Sequence, residues 1–161
     1  MSLLYTYKNI GTCYLGIGQS DMARKYFEDC IKIVKTAPTD VDKESIKRKD
    51  QEEIAQLYQN MYMTHISDRQ YLDAIDKSEK ALEILVDLYG PRAKRIASKY
   101  YQIANSNLLL QNKKQAIINI EKAISIHEKP DADKDDTSVE KEGVAPSPIS
   151  VEAQNFNRIQ Y

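Results

Sequence analysis

The sequence predicts an all-α protein built from repeated helical hairpins. Glycine and proline number only five each in 161 residues, which favours helix. Apolar side chains recur at intervals of three and four residues through most of the chain. The same residue types also return at the same spacing three times, which is typical of a repeat architecture.

The first hairpin is predicted at about residues 3–37. Its first helix begins after Ser2, a residue type that suits an N-cap, and ends before Gly18. Its second helix begins near Ser20 and fades before Pro38, because proline and the residue preceding it disfavour a continuing helix.

The second hairpin is predicted at about residues 42–89. A long helix runs from Asp42 to His65, with a charged, solvated first half and an apolar, packed second half. A strongly amphipathic helix then runs from Tyr71 to about Leu88.

The third hairpin is predicted at about residues 91–128. Gly90 suits the end of one helix and Pro91 the first turn of the next, so the two residues mark the boundary. The fifth helix then continues to about Leu108, and the sixth spans about residues 114–127.

The three hairpins share a set of anchor positions. An aromatic residue lies sixteen positions before an alanine in each copy, and an aliphatic residue or methionine follows the aromatic by three. A small residue follows the alanine by seven, where closely crossing helices need space. In chain order, the anchors are Tyr7, Ile10, Ala23 and Cys30, then Tyr58, Met61, Ala74 and Ala81, then Tyr100, Ile103, Ala116 and Ala123.

This pattern resembles the tetratricopeptide repeat over residues 3–128. The second copy departs from the family pattern at Tyr62, where a small residue is usual, and at Ser78, where an aromatic is usual. The 42-residue step between the last two alanines resembles the longer repeats of kinesin light chains. The resemblance implies a right-handed superhelix of three hairpins, with a concave groove lined by the first helix of each.

The resemblance also implies a partner-binding groove. Lys8 and Asn60 match the clamp with which some family members hold the C-terminal carboxylate of a chaperone, but Thr12, Ser98 and Gln102 do not. The pattern therefore disfavours a chaperone tail and favours an extended backbone or another helix. The groove residues are Tyr5, Lys8, Asn9, Thr12, Gln56, Gln59, Asn60, Met63, Ser98, Tyr101, Gln102 and Asn105, with Leu15 beside them.

No motif for catalysis, cofactor binding or metal binding is evident. His65 falls at a packing position and is expected at the core or its edge, and no glycine-rich phosphate loop or paired-cysteine metal spacing occurs. The formal net charge of −1 argues against nucleic acid or an anionic membrane as the partner. Cys13 and Cys30 are both expected to be buried, reduced thiols, which places the chain in the cytoplasm.

Residues 129–161 are predicted to be an extended or partner-docked tail, because residues 129–148 are too polar to form a core. The outer face of the sixth helix, through Ile118 and Ile126, is expected to need a cover. The tail residues that could dock are Ile149, Val151, Phe156, Ile159 and Tyr161.

These features together predict a protein–protein interaction adaptor or a scaffold subunit of a larger assembly. Basic residues at 43–49 and 92–95 hint at an acidic partner and at a cytoskeletal or ciliary assembly, although interleaved acidic residues favour a solvated face for the first cluster. The alternatives are a helical appendage of a larger enzyme and a regulatory repeat protein that binds a short peptide.

Overall fold

The computed structural model describes residues 3–36 and 43–129, and within these ranges the chain forms helices and no strands. Each helix packs mainly against its neighbours along the chain, so that three hairpins stack in order. The predicted all-α repeat fold is confirmed, whereas the handedness of the superhelix and the domain boundary at residue 128 stay predictions. The helices are α1 Leu3–Gly16, α2 Ser20–Thr36, α3 Lys43–Ser67, α4 Tyr71–Tyr89, α5 Lys94–Leu109 and α6 Lys113–Glu128.

The turn inside each hairpin has the same backbone geometry. Gly18, Arg69 and Gln111 occupy equivalent positions and all have a positive φ, of 77°, 59° and 62°. The residue after each donates its N–H to the carbonyl five residues earlier, at 2.8–2.9 Å. This is the Schellman termination of a helix, and here it turns the chain back into the second helix of the pair.

The first hairpin closes through contact between a glycine and a phenylalanine. Gly11 is buried in α1, and a Cβ added there would lie 2.7 Å from Cε1 of Phe27 in α2. Tyr62 and Ser78 occupy the equivalent positions in the second hairpin, and both are buried. In the first hairpin the small residue is in the first helix and the large one in the second, and in the second hairpin this order is reversed. Each crossing therefore still combines one large and one small residue.

The predicted start of the fifth helix is wrong by three residues. Gly90 has φ 88° and its N–H bonds Val86 O at 2.8 Å, which ends α4 as expected. Pro91 then lies in a turn instead of the first helical turn, and α5 begins at Lys94. The extended N-cap residue Ala93 is buried in the core with Ile96, and burying this pair fixes the later start.

An ion pair joins the first hairpin to the turn of the second. The Asp68 carboxylate accepts hydrogen bonds from Ser20 Oγ at 2.7 Å and from Arg24 Nη1 at 2.6 Å. These two hydrogen bonds hold the pKa of Asp68 below its usual value. Arg24 also bonds Asp21 on its own helix, so the guanidinium is fixed from two sides.

We expect Gly11→Ala to lower the free energy of unfolding by about 1–3 kcal/mol, since Phe27 must move to admit the methyl group. Gly16→Ala is the matched control, because nothing lies within 4 Å of its added Cβ. That change should be neutral or stabilise the protein by up to about 1 kcal/mol. Urea denaturation measures both, and equal effects would contradict the close approach of the two helices.

We expect Asp68→Asn to lower the free energy of unfolding at pH 7 by about 1 kcal/mol. Since the folded-state pKa is lowered, the stabilisation is present above the unfolded pKa of about 3.9 and is lost as the pH falls through the folded value. The two proteins should therefore converge in stability once the pH falls below the folded-state pKa of Asp68. Denaturation curves from pH 7 down to about pH 1.5 test this, and a difference that stays constant over the whole range would exclude the carboxylate as its source.

Candidate functional site

The first helices of the three hairpins are linked side by side by polar contacts. Lys8 Nζ lies 2.8 Å from Glu53 Oε1, which joins α1 to α3. Lys99 Nζ donates to Gln59 Oε1, which joins α5 to α3. We call the exposed and half-buried side chains of α1, α3 and α5 the first-helix surface.

The structure places all twelve predicted groove residues on the first-helix surface. They occupy four equivalent positions in each of the three helices, and none is buried. Whether a partner contacts them stays a prediction. The exposed members are Tyr5, Asn9, Thr12, Gln56, Met63, Ser98 and Tyr101, and the half-buried members are Lys8, Gln59, Asn60, Gln102 and Asn105.

Several polar groups of this surface already have partners within the chain. Thr12 Oγ1 donates to Lys8 O at 3.0 Å, and Ser98 Oγ donates to Arg95 O at 2.8 Å. Both hydroxyls therefore bond the backbone of their own helix. Gln56 and Asn60 are joined by a longer side-chain bond of 3.4 Å, which a partner could exchange at small cost.

Apolar side chains accompany the amides on this surface. Tyr5, Met63 and Tyr101 are 49%, 42% and 55% exposed, and each first helix supplies one of them. Tyr62 of α3 is buried, and burial raises the pKa of its hydroxyl, with the polar side chains of Ser106 and Asn105 opposing that shift. The surface thus offers amide groups for hydrogen bonding and aromatic or thioether groups for apolar contact.

The two cysteines differ in their surroundings. Cys30 is buried as predicted, burial raises the pKa of its thiol, and its Sγ lies 3.7 Å from Leu4 O. Cys13 is exposed, so its predicted burial is wrong. The equivalent residues of the later hairpins, Thr64 and Ser106, are fully buried. α1 is the first described helix, and no described hairpin packs against its Cys13 side.

One arginine of each basic cluster packs on an aromatic residue that the sequence analysis missed. The guanidinium carbons of Arg48 and Arg95 lie 5.2 Å and 4.5 Å from the centroid of the Tyr89 ring. Its hydroxyl donates to Glu52, and burial together with this bond raises the pKa of Tyr89. Arg48 and Glu52 of α3 are therefore engaged with the end of α4. The only sequence signal for this contact is the presence of interleaved basic and acidic residues in α3 together with a tyrosine at the end of α4.

His65 is buried, as its packing position predicted, and its Nδ1 lies 2.8 Å from Gln70 Oε1. Among the described residues, no three histidine, cysteine or acidic side chains converge on a point where a metal ion could bind. No described helix is both long and apolar enough to span a membrane.

Two further predictions concern the end of the chain. Ile118 is 41% exposed on α6 as expected, whereas Ile126 is buried against α5 residues including Ile96, so its predicted place on the outer face is wrong. The five predicted docking residues from Ile149 to Tyr161 lie outside the described residues.

The tetratricopeptide repeat family matches the chain at residues 4–33 and 98–130. These segments cover the first hairpin and most of the third, so the predicted resemblance is confirmed there. No curated protein matches the chain in sequence.

Two solved structures share the fold. Both are of a Podosopora anserina protein described as a kinesin light chain with nearly identical TPR-like repeats, one of them a single-substitution variant. The variant has a TM-score of 0.52 at 16% identity, covering 78% of this chain and 55% of that one. The other has a TM-score of 0.50 at 17% identity, covering 78% and 56%. This chain thus spans just over half the length of those chains.

We expect the Lys8–Glu53 pair to stabilise the protein by up to about 1 kcal/mol, because both side chains are about three-quarters covered. A double-mutant cycle with Lys8→Ala and Glu53→Ala measures the coupling. The control is the cycle for Asp29 and Lys32, which lie 2.9 Å apart on one helix, with Lys32 exposed. A coupling no larger than that of the control would show that the pair does not hold α1 against α3.

Proposed function

We propose that this protein is a protein-interaction scaffold whose first-helix surface binds an extended segment of a partner protein. The observation that carries the proposal is the repetition of the surface, in which four equivalent positions recur on three neighbouring helices. A repeated row of side chains suits a partner that is itself repetitive along its length, and a peptide backbone has that property.

The chemistry of the surface supports a neutral partner segment. Exposed Asn9 and Gln56 can each donate to a carbonyl and accept from an N–H, as an extended backbone requires. Tyr5 and Met63 offer apolar contact for intervening side chains. Lys8 is paired with Glu53, so the one cation that matched the carboxylate clamp is already neutralised. This disfavours an anionic chain end as the partner.

The two free cysteines support action in the cytoplasm, where thiols remain reduced. A more specific version of the scaffold proposal is that the protein assembles with the cytoskeleton. The fold shared with TPR-like repeats described as those of a kinesin light chain makes that form worth testing.

The test is to select peptides from a displayed random library with the full chain and to measure their affinity by calorimetry. We expect Met63→Glu combined with Gln56→Ala to weaken binding at least tenfold, which corresponds to about 1.4 kcal/mol. The matched control is Leu72→Glu, since Leu72 is 71% exposed but lies on α4. Peptides whose affinity falls with Leu72→Glu and not with the α3 changes would refute binding at the first-helix surface.

A further inference from the structure

The last helix exposes a stripe of isoleucines. Ile117, Ile120 and Ile124 lie on one side of α6, at a spacing of three and four residues, and are 56%, 39% and 50% exposed. Among the described helices, α6 packs mainly against α5. We call these three residues the α6 stripe.

The positions equivalent to Ile120 and Ile124 in the earlier hairpins are buried or half-buried. Phe27 and Ile31 of α2 are in the same core cluster as Leu57 of α3, the first helix of the next hairpin. Ser78 of α4 is fully buried, and Leu82 packs on the cluster that includes residues of α5. Ile120 and Ile124 of the α6 stripe therefore lie where a following first helix packs in the two preceding cases.

The exposure of Tyr101 on α5 also indicates that a further first helix is missing from the described residues. Lys8 and Gln59 occupy equivalent positions, and each contacts the first helix of the following hairpin. Tyr101 is the equivalent residue of α5, and it is 55% exposed. Tyr101 and the α6 stripe would thus both be covered by one more first helix.

The chain contains a sequence suited to that helix. In α3 and α5, the first helices of the second and third hairpins, an alanine is followed after three positions by an aromatic residue. Three positions further on comes an aliphatic residue or methionine. The same spacing recurs near the end of the chain. Ser147 and Pro148 precede it with the residue types favoured at an N-cap and at the first helical position. The three sets are Ala55, Tyr58 and Met61, then Ala97, Tyr100 and Ile103, then Ala153, Phe156 and Ile159.

We propose that residues 148–161 form a seventh helix that packs on the α6 stripe and against α5, as the first helix of a partial fourth repeat. In this arrangement Phe156 and Ile159 cover Ile120 and Ile124, as Tyr58 and Met61 pack with the α2 core cluster. The tail residues lie outside the described ranges, so the proposal rests on the exposed stripe and on the spacing.

The connection is long enough for this docking to occur within one molecule. A flexible segment the length of residues 130–147 spans roughly 24 Å on average. The distance along α6 from its end back to Ile117 is only about 16 Å. An intramolecular contact of this kind has an effective concentration in the millimolar range, which favours it over stacking of a second copy at ordinary protein concentrations.

The test uses the full chain carrying Phe156→Trp, because the natural sequence contains no tryptophan and the new indole is a unique fluorophore. We expect its emission to be blue-shifted and protected from acrylamide quenching, independently of protein concentration. Adding Ile120→Glu should shift the emission to that of solvent-exposed indole. Adding Ile118→Glu should not, since Ile118 is equally exposed on the same helix but lies outside the stripe.

Ile124→Glu is a second stripe variant with the same expected effect, and circular dichroism checks that each variant keeps its helix content. A solvent-exposed emission in the Phe156→Trp protein would overturn the proposal. So would an emission that responds equally to Ile118→Glu and Ile120→Glu. Protection that appears only with rising concentration, together with a dimer mass in light scattering, would assign the stripe to a second copy and would also overturn it.

Discussion

In this chain the apolar sides of α2 and α4 are each covered by the first helix of the next hairpin. Phe27 of α2 shows the rule most clearly, because it contacts the Gly11 position on one side and shares a core cluster with Leu57 on the other. A hairpin alone would leave half of such a side chain in water. Stability in a stack of this kind is close to a sum of neighbouring interfaces, so the ends of the stack govern its behaviour.

The predictions that succeeded depend on local signals, and those that failed depend on contacts between helices or on unusual backbone angles. Helix periodicity and turn residues placed most helix ends within two residues, because these signals act locally. The left-handed φ of Arg69 and Gln111 could not be predicted, since neither residue type favours it. The two backbone hydrogen bonds of each turn offset that cost. The start of α5 also depended on a distant contact, namely the burial of Ala93 in the core.

For the candidate site, the repeat fixed which side of each first helix faces outward, but it could not fix contacts between hairpins. The Lys8–Glu53 pair depends on the axial position of α3 relative to α1. The first two anchor alanines are 51 residues apart, and this long step does not define that axial position. Cys13 illustrates the other limit. Its equivalents are buried by a preceding hairpin, and periodicity within α1 contains no information on whether such a neighbour is present.

The two ends of the stack are chemically different. At the α1 end, Thr6 and Cys13 are exposed, and their equivalents in α3, Leu57 and Thr64, are buried. The exposed position of α1 thus carries a polar threonine where the buried position of α3 carries a leucine. At the α6 end, Ile120 and Ile124 are apolar, like the buried Phe27 and Ile31 at the equivalent positions of α2. Solenoids remain soluble when their terminal faces are polar or covered. The α6 end is not polar, so it needs a cover. A tail helix there would lengthen the first-helix row beside Tyr101, and any partner that extends along the row would contact it.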